Sequence, residues 1–99
     1  MGRVAAKIDA NQPEIVDALR ALGCSVQSLA SVGDGCPDLL IGVANVWFLI
    51  EVKMPGELLN PRQKRWHAEA MGRTHLARTV DEALTIAKKY IAWGIAFPP

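Results

Sequence analysis

Residues 38–53 read DLLIGVANVWFLIEVK, an apolar run with charged residues at both ends. Strand-forming residues fill it on either side of Ala44-Asn45, which predicts two antiparallel strands, over 38–43 and 46–53, joined by a short turn. Charged side chains at the ends of such buried strands are costly unless they hold an ion or perform chemistry. The stretch therefore decides the centre of the fold and also indicates where function is to be sought.

The register of this hairpin brings two acids together. A two-residue turn pairs Val43 with Val46 and, counting outward, sets Asp38 directly opposite Glu51. Directly opposed residues have Cβ atoms about 4.5–5.5 Å apart, so the two carboxylates would repel each other. A divalent cation between them would reverse the sign of that interaction, and oxygen ligands suit Mg²⁺ or Mn²⁺. The pairing predicts a metal site at these two acids, with the backbone carbonyl of Val52 as a further ligand; a three-residue loop with a bulge would instead shift the register.

Lys53 lies on the same strand face as Glu51, because residues two apart in a strand share a face. A partly desolvated lysine near a metal-bound water can orient the nucleophile and stabilise negative charge on a phosphate in the transition state. Two acids and a lysine in this arrangement predict the hydrolysis of a phosphodiester.

The rest of the chain reads as three helices and two further strands in a single domain. Asparagine or threonine stands before each predicted helix as an N-cap, with glutamate or glutamine three residues later. The predicted order is αβββαβα, a mixed central sheet of about four strands flanked by helices in an α/β fold. These elements lie at 11–22, 24–29, 38–43, 46–53, 60–72, 74–78 and from 79, with a domain core over 10–91 and an apolar tail over 92–99.

Composition places the chain among globular proteins. It has 99 residues, of which 51% are hydrophobic and 21% charged, which excludes a disordered chain. No apolar run is long enough to cross a bilayer, and residues 1–10 carry no secretory signal, so no membrane partner and a cytoplasmic location are expected. Two cysteines, Cys24 and Cys36, do not make a disulfide framework. The net charge of +1 says little about partners, so the local distribution of charge has to be considered instead.

The motif residues Gly35-Cys36-Pro37-Asp38, Glu51-Val52-Lys53 and Asn60-Pro61-Arg62-Gln63 resemble those of the PD-(D/E)xK nuclease superfamily. Within it, the chain is most similar to the small stand-alone, phage-type members of the VRR-NUC (viral replication and repair nuclease) group. The similarity spans residues 10–87 and includes the element order. It implies a restriction-endonuclease-like fold and a Mg²⁺- or Mn²⁺-dependent DNA endonuclease. It further implies a homodimer that acts on branched DNA such as Holliday junctions, in a phage or prophage protein of a bacterial cytoplasm.

The same resemblance implies a role for each matching residue. Asp38 and Glu51 would bind the metal and Lys53 would be catalytic. Gln63 would support the site from the second helix, and Glu14 on the first helix would be an additional acid. The short loop at 54–59, where relatives are expected to carry a longer insertion, makes substrate preference the least transferable property.

Several of these residues also have an ordinary structural interpretation. Glu14 and Gln63 each stand three residues after an asparagine N-cap, and could simply close a capping box. Asp34 is flanked by glycines and is interpreted first as a turn residue. Trp47 and Trp66 are interpreted as core or interface residues before base-stacking platforms.

A group of basic residues follows the acids, and its first interpretation is a solvated helix face. Beside a nuclease site, phosphate contacts from Arg62, Lys64 and Arg65 are the functional interpretation, and they would make DNA binding depend on salt. The apolar tail, with Trp93, Ile95 and Phe97, is a second reason to expect a homodimer. Two other functions remain open, a non-catalytic module that binds structured DNA on a nuclease scaffold and a small structural protein without a nucleic-acid partner.

Overall fold

The computed structural model describes residues 8–96, so the predictions about the first seven residues and Phe97 lie outside the described part. Helices and strands follow one another in the predicted order αβββαβα. Their bounds are α1 Gln12–Leu22, β1 Ser25–Ser28, β2 Leu39–Val43, β3 Val46–Val52, α2 Pro61–Glu69, β4 Thr74–Ala77 and α3 Val80–Ala96.

The four strands form one mixed sheet in the order β1-β2-β3-β4. β1 pairs with β2 and β2 with β3 in antiparallel orientation, whereas β4 runs parallel to β3 and is reached through α2. This arrangement confirms the predicted α/β class with a mixed four-stranded sheet. Among residues 8–96, no helix has both the length and the apolar character needed to cross a membrane.

The central hairpin has the predicted two-residue turn. Ala44 and Asn45 have φ angles of +50° and +65°, and positive φ at both central residues is the signature of a type I′ turn. Val43 pairs with Val46, and every following pair of β2 and β3 keeps that register. The strand pairing derived by counting from the turn is therefore confirmed.

One face of the sheet is covered by α1 and α3, and the apolar core lies between the sheet and these two helices. Phe48 of β3 stacks on Tyr90 of α3 with ring centroids 4.4 Å apart. Each large apolar side chain buried in this way contributes about 1.5–3 kcal/mol. No residue of α2 is buried, so α2 is not part of this core. The buried apolar residues are Ile15, Leu19, Cys24, Leu39, Ile41, Phe48, Ile50, Val52, Ala77, Ala83 and Ala87.

The start of α1 differs from the prediction. The side chain of Asn11 makes no capping bond. Its Nδ2 instead donates to the backbone carbonyls of Lys53 at 3.1 Å and Arg78 at 2.9 Å. The predicted capping box with Glu14 is therefore wrong, because the amide that would serve it ties α1 to the ends of two neighbouring strands.

The other two helix starts follow the prediction more closely. At α2, Asn60 Oδ1 accepts from the N–H of Gln63 and Asn60 N–H donates to Gln63 Oε1, both at 2.9 Å. At α3, Thr79 Oγ1 accepts from the N–H of Glu82 at 3.1 Å. The carboxylate of Glu82, however, accepts from the N–H of Arg78 rather than closing the box on Thr79.

The segment predicted as a tail from residue 92 is helical through Ala96. No proline interrupts the chain between the start of α3 and Pro98, so the helix continues past residue 92. Gly94 lies against the hairpin turn, where an added Cβ would be 2.5 Å from the Cβ of Ala44. Glycine is unfavourable in a helix by about 1 kcal/mol, and here it permits this close contact. Trp93 and Ile95 on either side remain 54% and 79% exposed.

Candidate active site

A cleft of about 360 Å³ opens where β3 ends, between the loop that precedes β2 and the first turn of α2. It brings together most of the residues that the sequence motifs single out. Its lining residues are Asp9, Gly33, Asp34, Gly35, Cys36, Asp38, Glu51, Lys53, Glu57, Asn60, Arg62 and Gln63.

The two predicted metal-binding acids face the same cleft and are both buried. Asp38 immediately precedes β2, and the register of the hairpin continues to place it opposite Glu51. Its Oδ2 accepts a hydrogen bond from the N–H of Val52 at 2.7 Å. The register and the shared cleft keep the two carboxyl groups close enough for Asp38 to perturb the ionisation of Glu51.

Burial is the main reason that Glu51 resists ionisation. Removal from water raises the pKa of Glu51 to about 9, helped by the neighbouring Asp38 and by the charge of Asp9, while Lys53 works in the opposite direction. Only 2% of Glu51 is exposed, and its Oε1 has no hydrogen-bond partner among the described residues. A buried oxygen without a partner costs about 1–3 kcal/mol unless a ligand compensates. This unpartnered oxygen in a cleft of acids fits a cation.

Gln63 reaches the same acid from α2. Its Nε2 donates to Glu51 Oε2 at 3.4 Å, while its Oε1 closes the capping box of α2. Both interpretations of this residue therefore apply together. The loop before Asp38 is held against α2 at Gly35, which has a φ of +82° and where an added Cβ would be 2.5 Å from the carbonyl oxygen of Arg62. That contact sets the first turn of α2 beside the acids.

Lys53 is buried and lines the cleft, directly after the end of β3. Its backbone is held on both sides, because its N–H donates to the carbonyl of Ala77 at 3.1 Å and its carbonyl accepts from Asn11. The buried Val52 lies between Lys53 and Glu51 and uses its N–H to hold Asp38. The role of the Val52 carbonyl as a metal ligand stays a prediction.

Glu14 was predicted as an additional acid of the site, but the further acids that line the cleft are Asp9, Asp34 and Glu57. Glu14 is exposed on the first turn of α1 and does not line the cleft. Asp9 lies in the turn before the helix, and its carbonyl accepts from the N–H of Gln12 at 3.0 Å. Sequence reasoning missed Asp9 because it searched within the predicted helix; an acid just ahead of the helix N-terminus was the only available signal.

The cleft also contains a cysteine that the motif had included only as a spacer. Cys36 is half-buried and is a free thiol. Burial raises its pKa, and the charges of Glu51 and Asp38 raise it further. The side chain is therefore a neutral thiol at physiological pH rather than a reactive thiolate.

The predicted DNA-binding residues lie on the exposed surface of α2. Arg62 lines the cleft, Arg65 lines a neighbouring depression, and Lys64 lines neither. Arg62 approaches Asp34 at 3.9 Å, with side chains 78% and 71% exposed. An ion pair this long and this exposed contributes little to stability, so Arg62 remains available to other anions.

Within residues 8–96, no three His, Cys, Asp or Glu side chains are preassembled as a metal cage. The donors that are present nevertheless suit Mg²⁺, which keeps several waters and usually takes only one or two protein carboxylates together with substrate phosphate. Two buried acids, one with a free oxygen, meet that requirement.

A solved structure of a VRR_NUC domain is similar to this chain, with a TM-score of 0.65 and 22% sequence identity over 83% of this chain and 99% of that chain. The chain therefore has the fold of a VRR_NUC domain, and this confirms both the fold class and the resemblance that the motifs predict. By sequence, the chain matches no protein-family model and no curated protein.

Proposed function

We propose that this chain is a divalent-metal-dependent DNA endonuclease that hydrolyses phosphodiester bonds. The observation that carries the proposal is the buried pair of Asp38 and Glu51 in one cleft, with Oε1 of Glu51 left without a partner among the described residues. The fold of a VRR_NUC domain supports the same conclusion. A purely structural protein would have no reason to retain two opposed acids at the bottom of a cleft, since apolar residues would be more stable there.

Five residues at the cleft have a chemical role in this proposal. Asp38 and Glu51 hold Mg²⁺ or Mn²⁺, with the Val52 carbonyl as a further ligand. The bound ion supplies an activated water and charge neutralisation at the phosphate. Lys53, with its backbone held on both sides, orients its ammonium group toward the phosphate oxygens and stabilises the charge that develops there. Gln63 orients the Glu51 carboxylate through the hydrogen bond to its Oε2.

DNA approaches over α2 in this proposal. The N-terminus of a helix favours phosphate, since its first N–H groups and its dipole both attract anions. Arg62, Lys64 and Arg65 add three positive charges to an exposed helix that has no acid in its first turn. Because such contacts release counterions, binding would weaken as salt is raised.

We further propose branched DNA, such as a Holliday junction, as the substrate and a homodimer as the active form. Cutting both strands of a junction requires two sites, and one chain has one cleft of this kind among its described residues. The exposed Trp93 and Ile95 at the end of α3 are apolar surface that a second copy would cover. A mass of one chain by light scattering at micromolar concentration would contradict the dimer. The free thiols of Cys24 and Cys36 suit the cytoplasm of a bacterial host, where a phage or prophage protein would act.

The decisive experiment compares cleavage of branched and linear DNA with Mg²⁺ or Mn²⁺ by the native chain and by Asp38→Ala and Lys53→Ala. Asp17 of α1 and Lys88 of α3 are exposed and do not line the cleft, so Asp17→Ala and Lys88→Ala serve as the matched controls. The proposal expects both cleft variants to lose cleavage and both controls to keep it. Equal cutting by all variants would refute the mechanism. Tight binding to junctions without metal and without cutting would select the alternative, a non-catalytic module for structured DNA.

A further inference from the structure

A second depression lies on α2 next to the cleft. It measures about 250 Å³ and is lined by Asp34, Arg62, Arg65, Trp66 and Glu69. The four helical residues follow the spacing i, i+3, i+4 and i+7, so they share one face of α2. That face presents an aromatic ring beside two arginines.

The apolar core gives no reason for a tryptophan at this position. No residue of α2 is buried, and Trp66 is only half-buried, whereas the core is built from α1, α3 and the sheet. An aromatic ring with arginines beside it on a helix surface is typical of sites that bind single-stranded nucleic acid. In such sites the ring stacks on a base and the cations hold phosphates.

The depression is continuous with the cleft. Arg62 and Asp34 line both. The close contact of Gly35 with the backbone of Arg62 holds the loop against α2, so the two cavities keep a fixed spacing. The depression therefore adjoins the place where a phosphate would enter the cleft.

We infer that this depression binds one unpaired nucleotide beside the scissile phosphate, with its base stacked on Trp66 and its phosphates held by Arg62 and Arg65. The inference rests on the proposed nuclease function and narrows its substrate class to branched DNA with unpaired nucleotides next to the cut, in place of a fully paired four-way junction. In a duplex both faces of a base are covered by neighbours, whereas an unpaired base has a face free for stacking. Glu69 at the far end repels a further phosphate, which limits the site to a single nucleotide.

The test measures binding in chelator, so that cleavage plays no part. Two fluorescently labelled probes are used at low salt, a blunt duplex and the same duplex with a splayed single-stranded arm. Stacking of one base is worth about 1–3 kcal/mol, so Trp66→Ala should weaken binding of the splayed probe roughly 5- to 150-fold. Binding of the blunt duplex should change less than about twofold, because only its two terminal base pairs offer a free face. Trp66→Phe should retain most of the affinity.

Trp47→Ala is the matched control, since Trp47 is 58% exposed and lines neither the cleft nor this depression. It should bind both probes as the native chain does. Melting curves of Trp66→Ala and Trp66→Phe check that each variant is folded. In the double variant Trp47→Phe, Trp93→Phe, Trp66 is the one remaining tryptophan. Its fluorescence should be quenched by the splayed probe and not by the blunt duplex.

Equal weakening for both probes, or no weakening for either, would overturn the inference. If metal-dependent cleavage is normal alongside either result, the nuclease proposal stands and the inference about the nucleotide site alone is refuted. Selective weakening together with no cleavage under any metal would leave the inference standing and refute the nuclease. Failure to bind both probes at low salt would refute both.

Discussion

Asp38 and Val52 are joined across the central hairpin by a hydrogen bond, in which Oδ2 of Asp38 accepts from the backbone N–H of Val52 at 2.7 Å. This bond holds one acid of the cleft on the strand that carries the other. Asp38 is therefore part of the hairpin as well as of the site, and removing it has two opposite effects on stability. The charge of Asp38 no longer disfavours the ionisation of Glu51, but a buried N–H loses its acceptor.

Asp38→Ala should destabilise the cation-free protein by about 1–3 kcal/mol, the cost of a buried donor left without a partner. From the sequence alone, relief of repulsion would favour the opposite sign. Asp38→Asn keeps an acceptor oxygen and should lose much less. Urea unfolding in chelator measures both variants, and an Ala variant at least as stable as the native chain would show that repulsion dominates.

Glu51→Gln should remove a pH dependence of stability. The folded pKa of Glu51, about 9, lies above its ordinary value of 4.5, chiefly because of burial. The folded state then binds more protons than the unfolded state, so this contribution is fully present below about pH 4.5 and is lost as the pH rises through about 9. In chelator the native chain should lose several kcal/mol of stability between pH 5 and 9 relative to Glu51→Gln, since one pKa unit corresponds to about 1.4 kcal/mol. Parallel stability curves for the two proteins would contradict the shift.

Calorimetric titration of Mn²⁺ should separate Asp9 from Glu14. Glu51→Gln should weaken binding at least about tenfold, since it removes a ligand charge. Asp9→Asn removes a nearby charge in the cleft and should weaken binding by a factor of about 5, or on the order of 1 kcal/mol. Glu14→Gln, at an exposed position outside the cleft, should bind as the native chain does. Stronger loss from Glu14→Gln than from Asp9→Asn would restore the assignment made from the sequence.

Gly35→Ala should disturb the contact between the loop and α2, and Gly56→Ala is its matched control. Both glycines have similar positive φ angles, +82° and +86°, but an added Cβ clashes with Arg62 only at Gly35, and meets nothing within 4 Å at Gly56. The shared backbone strain costs about 1–2 kcal/mol, so Gly56→Ala isolates that term. Gly35→Ala should cost at least about 1 kcal/mol more and should also weaken Mn²⁺ binding. Equal melting temperatures for the two variants would show that the loop simply moves aside.

Local patterns in the chain were enough to predict the hairpin and the pairing of its acids. A two-residue turn at Ala44-Asn45 and the two-residue period of a strand predict the observed register, and the structure excludes the bulged three-residue loop that the sequence left open. The capping box of Asn60 and Gln63 was equally predictable, because its partners are three residues apart. These features depend on neighbours in the sequence, so composition and spacing specify them.

Only the tertiary structure decided which acid joins the cleft and what Asn11 does. The amide of Asn11 bonds to carbonyls 42 and 67 residues away, and these contacts exist only after the ends of β3 and β4 have been brought beside the start of α1. Once that happens, the turn before α1 directs Asp9 into the cleft and leaves Glu14 in solvent. A capping bond would need Oδ1 of Asn11 turned toward the helix, whereas the long-range bonds use Nδ2 of the same amide. Packing settles the orientation because the partly buried strand-end carbonyls need a donor.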